Sequence, residues 1–425
     1  MRTLLSLLAR LMTFFLFRRV EVAGRDRLPR DRPMLVVANH FNGLIDPLLL
    51  ASALPTTPRF LAKATLTGVL GVGPLLRACG VIFVQRQVDG AGTAGNASAF
   101  AAAHRALVAR DAVAIFPEGT THDRPQLDPV RTGAARIALG AREAGAKDLM
   151  IVPVGLTFSD KVSLRSTVLV QFGEPLALDD LTAPSAGEHD VEAVRAITAR
   201  IDACLRDVSP DFADIESWLA FDHAAEVATR TRTHIDPPLG DRAALARRLA
   251  RAPAEPQHAV RVAVGRYATV LAGLRIDDRD VVAPANTTEV LRRAFLTGLL
   301  VVALGSVVGA TILVNAIPAG LIAGVSLLVT KPVTKGTVRA LLGLVAFPAA
   351  WVTAAVLTVD GAGAVAWLAL VFAAGAVAAL VLADRVLALT GSVLRWRLSR
   401  ERIATLHDAA LIRADVVAAV RAVAP

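Results

Sequence analysis

Two periodicities alternate along the first 180 residues or so. "MLVVAN", "GVIFVQ", "AVAIFP", "MIVPVGLTF" and "TVLVQFG" are short, apolar and β-branched, and Gly, Pro or charged residues bound most of them, the pattern of strands. Between them, Ala97–Arg110 and Thr132–Ala144 place apolar residues at helical spacing. The alternation predicts an α/β domain over residues 21–184, a mixed sheet flanked by helices. Nearly continuous apolar strands suit a sheet covered on both faces. Pro153, inside "MIVPVGLTF", predicts an edge strand or a strand end.

The pattern then changes twice. Residues 185–291 are polar, Arg-rich and helical in spacing, as in "DVEAVRAITARIDACLRDV", and contain no catalytic constellation. They predict a helical elaboration that covers the sheet or contacts a membrane. Residues 292–385 are apolar. Ala294–Thr330 is interrupted only by "NAIP" (Asn315–Pro318), and Leu341–Val359 and Ala364–Leu382, joined by "DGAG", are each about one bilayer long. Arg292, Arg293, Lys331, Lys335, Arg339, Arg385, Arg395 and Arg397 cluster at one set of ends, and neither the "NAIP" nor the "DGAG" turn carries a basic residue. The positive-inside tendency then predicts two transmembrane hairpins with both flanks cytoplasmic. A re-entrant second limb of the first hairpin is the alternative. Residues 1–20 predict an amphipathic helix on the bilayer, since Arg10 interrupts the apolar run and Arg18 and Arg19 close it; the alternative is a helix packed on the domain. Residues 386–425 read as an amphipathic tail. The expected location is integral to a membrane, a bacterial inner membrane, with the α/β domain on the cytoplasmic face.

Composition sharpens this picture. The chain is 54% hydrophobic with a formal net charge of +9. A basic balance fits nucleic acid, an anionic membrane or anionic substrates. A single tyrosine, no interleaving of aromatic with basic residues and no zinc spacing argue against nucleic acid, and the apolar segments favour a membrane surface. Cys79 and Cys204 lie far apart without metal-ligand spacing.

The chemistry concentrates in "ANHFNGLIDPLLL" (Ala38–Leu50). His40 stands where a strand ends. Asp46 precedes Pro47, a pairing that suits a helix start with Asp as N-cap. Gly43 lets the intervening loop bend, so His40 can fold back toward Asp46. A histidine beside a carboxylate is a general base: the acid fixes the tautomer and stabilises the imidazolium. The structural alternative is a satisfied histidine beside a helix cap. No G-x-S-x-G supplies a serine nucleophile, so the hydroxyl to be activated would belong to the substrate. Three further stretches join this one: "GVIFVQR" (Gly80–Arg86), "IFPEGTTHDRPQL" (Ile115–Leu127) and "VPVGLTF" (Val152–Phe158).

In their order, these four stretches resemble the N-H-x(4–5)-D, G-x-I-F-V-x-R, F-P-E-G-T and V-P-V motifs of the glycerolipid acyltransferases. The likeness is greatest to glycerol-3-phosphate and dihydroxyacetone-phosphate acyltransferases of the fungal type and their bacterial relatives. "VTKPVTKGTVRALLGLVAFPAAW" also resembles the basic segment before their C-terminal membrane hairpin. The resemblance implies an acyl thioester donor (acyl-CoA or acyl carrier protein), a glycerol-phosphate acceptor, contact with membrane lipids, and no metal or other cofactor. It implies His40 as base with Asp46 as its partner; Arg86, Glu118, Gly119 and Thr120 as acceptor-binding residues; Asn42 within the first motif; and Pro153 shaping the acyl pocket. Lysophosphatidate acyltransferases commonly carry Arg after E-G-T, where this chain has Thr121; Arg124 or Lys63 then becomes a substitute phosphate ligand. A lysolipid acceptor is the alternative. A reading of another class makes the spans a transport or scrambling module, against which stands their near lack of charge. For His104, His122 and His407 no partner is legible, and His122 draws notice beside the third motif.

Overall fold

The computed structural model describes residues 2–68, 72–85, 96–180, 182–183, 186–231, 236–282, 286–401 and 403–424. It divides into two compact units: Met1–Ile215 with Pro332–Thr337, and Glu216–Lys331 with Val338–Pro425.

The first unit is α/β. In chain order it comprises α1 (Arg2–Leu16), β1 (Phe17–Ala23), β2 (Met34–Ala38), α2 (Ile45–Ala53), β3 (Arg59–Lys63), α3 (Val72–Ala78), β4 (Ile82–Val84), α4 (Ala97–Val108), β5 (Ala112–Ile115), α5 (Gly133–Glu143), β6 (Met150–Phe158), β7 (Ser166–Phe172), β8 (Leu176–Ala177) and α6 (Val191–Val208). The sheet order is β1-β7-β6-β2-β5-β3-β4, with β8 also on β6. β6 is antiparallel to β7 and β8, and the remaining pairs are parallel. The sheet is therefore mixed.

Strand β2 shows why both faces are apolar. Leu35 and Val37 enter one core cluster with residues of α4, α5 and α6. Met34, Val36 and Ala38 enter the other with Leu49 and Leu50 of α2, as the two-residue period of a strand requires. Helix α6, read from sequence as part of the following helical region, buries Val194, Ile197, Ile201 and Leu205 in the first of these clusters.

Pro153 does not mark an edge: β6 lies inside the sheet, between β7 and β2. It is tolerated because of where its missing N–H falls. Its carbonyl accepts from Gly173 N–H at 2.8 Å, and a residue's N–H and C=O point to the same side of a strand. That side meets the break between β7, ending at Phe172, and β8, starting at Leu176. On the other side, Pro153 keeps register with Val37 of β2.

Helix α1 is packed on the domain along one face and exposes an apolar face on the other. Ala9 and Thr13 are buried, while Leu4, Leu7, Leu11 and Phe14 are exposed at helical spacing. The helix packs on α2 and runs directly into β1.

The second unit is helical: α7 (Ile215–Thr229), α8 (Leu239–Ala250), α9 (Ala254–Leu274), α10 (Asp278–Val282), α11 (Thr287–Leu328), α12 (Pro332–Thr358), α13 (Ala362–Glu401) and α14 (Ile403–Val423). Three of these, α11, α12 and α13, are long and apolar enough to cross a membrane. The predicted "NAIP" turn is not a turn. Asn315–Pro318 lies inside the continuous 42-residue α11, so three long helices replace the two hairpins expected. Pro318, which has no N–H to offer the Val314 carbonyl one turn earlier, lies inside this helix. Here Asn315 Nδ2 donates to Thr311 O at 3.1 Å and to Phe372 O of α13 at 3.2 Å, and Trp351 Nε1 of α12 donates to Asn315 Oδ1 at 2.9 Å. "DGAG" does form the joint between α12 and α13, with Gly361 at φ 89°. α11 and α13 run antiparallel, since Asn315 meets Phe372 and Arg293 meets Ser392. Arg292 and Arg293 therefore share one end of this pair with the basic residues of α13.

Candidate active site

The parallel strands β2, β5 and β3 end at one edge of the sheet, the edge at which open α/β sheets place their ligands. His40 follows β2, Glu118 follows β5 and Lys63 closes β3.

His40 and Asp46 meet as expected. Nδ1 of His40 lies 2.9 Å from Oδ2 of Asp46. The same oxygen accepts the Phe41 and Asn42 amides, each at 2.7 Å. The loop thus wraps around one carboxylate oxygen, and the acid is fully buried. The N-cap of α2 is Leu44 rather than Asp46. The aspartate sits within the first helical turn, and its side chain reaches back to the loop instead of capping the helix. With its carboxylate against Nδ1, the imidazole carries its proton there and leaves Nε2 free to accept one. The His40 ring, 14% exposed, stacks on Phe116 of the third motif at 4.0 Å and 14°, which limits its rotation.

The third motif holds the first from behind. Glu118 Oε1 accepts the His40 amide at 2.7 Å; Oε2 accepts the Asp128 amide at 2.8 Å and lies 2.7 Å from His122 Nε2. Both oxygens of this buried carboxylate are engaged by the protein, so it braces the His40 backbone, where the resemblance implied acceptor binding. Gly119 makes the turn possible with φ 73°, a conformation costly for a residue with a Cβ. Its amide donates to Phe116 O at 3.0 Å and is spent within the turn. Thr120 and Thr121 are half-buried.

His122 is the residue that sequence reasoning noticed without finding its partner; the signal was its place four positions after Glu118. Burial alone would lower its pKa. The hydrogen bond and charge of Glu118, with Asp128 behind, outweigh burial and a smaller opposing push from Arg124, and hold the imidazole above its ordinary value. Lys161, after β6, donates to His122 O at 2.7 Å, pairs with Asp123 at 2.7 Å and lies over the Phe41 ring. Glu118, His122 and Asp128 could by spacing hold a metal ion. Their geometry is that of a hydrogen-bonded relay, with Glu118 and His122 in direct contact and Asp128 4.0 Å from the imidazole.

The remaining sites vary. Arg86 lies outside the described residues; Val84, two positions before it, pairs with Lys63 on β3. Lys63 is half-buried at the end of its strand. Arg124 is exposed and pairs with Asp128. Asn42 is buried beside Asp46. Pro153 is buried in the sheet. Asn39, absent from the expectations, closes the end of β2: its amide donates to Leu156 O at 3.1 Å and accepts from Leu156 N–H at 2.7 Å.

The chain is similar in sequence to known proteins. Glycerol-3-phosphate O-acyltransferase 2 of Saccharomyces cerevisiae is 30% identical over 130 residues, 30% of this chain and 18% of that enzyme's length. Human 1-acyl-sn-glycerol-3-phosphate acyltransferase beta is 29% identical over 209 residues, 48% of this chain and 68% of that one. The crystal structure of the 1-acyl-sn-glycerophosphate acyltransferase of Thermotoga maritima aligns with a TM-score of 0.36 and 20% identity, over 48% of this chain and 76% of that one. The acyltransferase family model matches residues 19–157, a stretch that holds the His40–Asp46 pair, the Glu118 turn and Pro153. Residues 19–157 are therefore similar to the acyltransferase family.

Proposed function

We propose that the protein is a membrane-bound O-acyltransferase that moves a fatty acyl group from a thioester to the hydroxyl of glycerol-3-phosphate or dihydroxyacetone phosphate. The observation that carries this reading is the His40 Nδ1–Asp46 Oδ2 pair at 2.9 Å on the carboxyl edge of the sheet, within a domain of acyltransferase type. His40 Nε2 takes the hydroxyl proton as the alcohol oxygen attacks the thioester carbon. The buried Asp46 carboxylate stabilises the imidazolium, and the proton passes to the departing thiolate as the tetrahedral intermediate collapses. Arg86, two positions after β4 in sequence, and Lys63, which closes the neighbouring β3, are the proposed ligands of the acceptor phosphate, a role for which guanidinium and ammonium groups are suited. The yeast relative is named for glycerol-3-phosphate, and Thr121 stands where lysophosphatidate enzymes commonly carry Arg. A lysophosphatidate acceptor is the second reading, favoured by the longer match to the human enzyme.

The test uses purified protein with labelled acyl-CoA or acyl carrier protein and a panel of glycerol-3-phosphate, dihydroxyacetone phosphate and lysophosphatidate. Acylation of glycerol-3-phosphate or dihydroxyacetone phosphate is expected, with His40→Ala lowering turnover by roughly 10²–10⁴-fold in protein that stays folded and membrane-bound. Turnover by His40→Ala at the wild-type rate would remove the mechanism, and acylation of lysophosphatidate alone would replace the acceptor.

A further inference from the structure

The loop from His40 to Asp46 has a neighbour 293 positions further along the chain. Thr337 Oγ1 accepts the Leu44 amide at 3.3 Å. Thr337 and Gly336 belong to Pro332–Thr337, the start of α12, which groups with the first unit. Gly336 is buried against the same loop. A Cβ there would lie 2.6 Å from Ile45 Cδ1 and 3.6 Å from Asn42 Oδ1, and one at Gly43 would lie 3.6 Å from Thr337 Oγ1. Two residues of a distant helix thus lie along four successive positions, Asn42 to Ile45, of the seven from base to acid, and hydrogen-bond the loop at Leu44. Asp46 and Glu118 hold this loop from within by the His40, Phe41 and Asn42 amides. Leu44 is held from outside by Thr337.

We infer that Gly336 and Thr337 are positioning residues of the active site: by supporting the outer side of the His40–Asp46 loop, they fix the approach of the imidazole to its carboxylate. Neither touches the reacting atoms; they act through the backbone between them. The roles follow from residue type. A side chain at 336 would press on the Cδ1 end of Ile45, the residue next to the catalytic acid, and a side chain at 337 without an acceptor oxygen would take away the partner of the Leu44 amide. The inference rests on the acyl-transfer reading for its functional meaning, and its test separates the two.

Full-length wild type, Thr337→Val, Thr337→Ser, Gly336→Ala and Gly336→Ala/Ile45→Val are compared in one membrane mimetic. Acyl transfer is measured alongside the rate at which diethyl pyrocarbonate modifies each histidine, resolved by peptide mass. Thr337→Val is expected to lower kcat by about 3- to 10-fold, the effect of one hydrogen bond, and Thr337→Ser to restore it. Gly336→Ala is expected to lower kcat at least as much, and Ile45→Val to recover part of the loss, because it removes the Cδ1 atom that the new methyl meets. In Thr337→Val and Gly336→Ala, His40 is expected to react faster while the other histidines keep their rates. Unchanged kcat and unchanged His40 reactivity in both single variants would overturn the inference. So would faster modification of all histidines together, which marks general loosening, or a double variant no better than Gly336→Ala. If the wild type acylates no acceptor, the acyl-transfer reading fails, and the His40 rates still decide whether the contact holds the loop.

Discussion

A single carboxylate oxygen organises the catalytic loop. Asp46 Oδ2 receives two backbone amides and the His40 ring, so the acid defines the loop and the tautomer together. The pairing was legible in sequence because six positions, a flexible glycine and Asp-Pro leave few ways for the loop to close. The bracing by Glu118 was not, because it depends on β2 and β5 lying side by side. His122 carries a pH signature. Glu118 and Asp128 face it, Arg124 lies near, and Lys161 binds its carbonyl. Its folded pKa is raised above the ordinary value of about 6.5, so protonation favours the folded state. The stabilisation is fully present below about pH 6.5 and is lost as pH rises through the folded value. Denaturant unfolding of wild type and His122→Gln should therefore differ most at acidic pH, with the gap closing as the medium becomes alkaline; a gap independent of pH would contradict the assignment.

Among elements, the five predicted strands are present as β2, β4, β5, β6 and β7, and both predicted helices as α4 and α5. Their patterns were strong because each is buried on both faces or carries a clear apolar stripe. Three strands escaped notice: β1, β3 and the two-residue β8. β1 carries Arg18 and Arg19, which read as the end of a surface helix, and its strand form comes from pairing with β7. β3, "RFLAK", is too short and mixed to declare itself before β4 and β5 flank it. Pro153 misled because the rule about edges concerns the missing N–H, and here that group faces a break in the ladder. Asn39 extends β2 toward β6 by a side chain instead of by backbone. Asn39→Ala would strand the buried amide and carbonyl of Leu156, each costing about 1–3 kcal/mol. A loss of stability in that range is expected in equilibrium unfolding, and a variant as stable as wild type would show that the bridge is dispensable.

For the molecule as a whole, the sequence distinguished an α/β part from an apolar part, and both are present. The count of long apolar helices was misread because proline and asparagine usually punctuate a chain, whereas Asn315 here binds both other long helices. Asn315→Leu removes those bonds and leaves the Trp351 indole N–H unmet. A drop of about 1 kcal/mol in stability is expected, read as a lower melting temperature in detergent, and an unchanged melting temperature would assign the bonds no weight.

The length of α11 has its own consequence. At ~1.5 Å per residue its 42 residues extend about 63 Å, roughly twice the hydrocarbon thickness of a bilayer. Leaned by about 40°, the steep end of observed tilts, the rod would still be longer than the hydrocarbon layer of a bilayer. Thicker or thinner lipid could therefore be met by a change of inclination, with apolar side chains in reserve beyond Arg293. As a membrane anchor, such a helix would keep its grip while the fatty chains around it are exchanged.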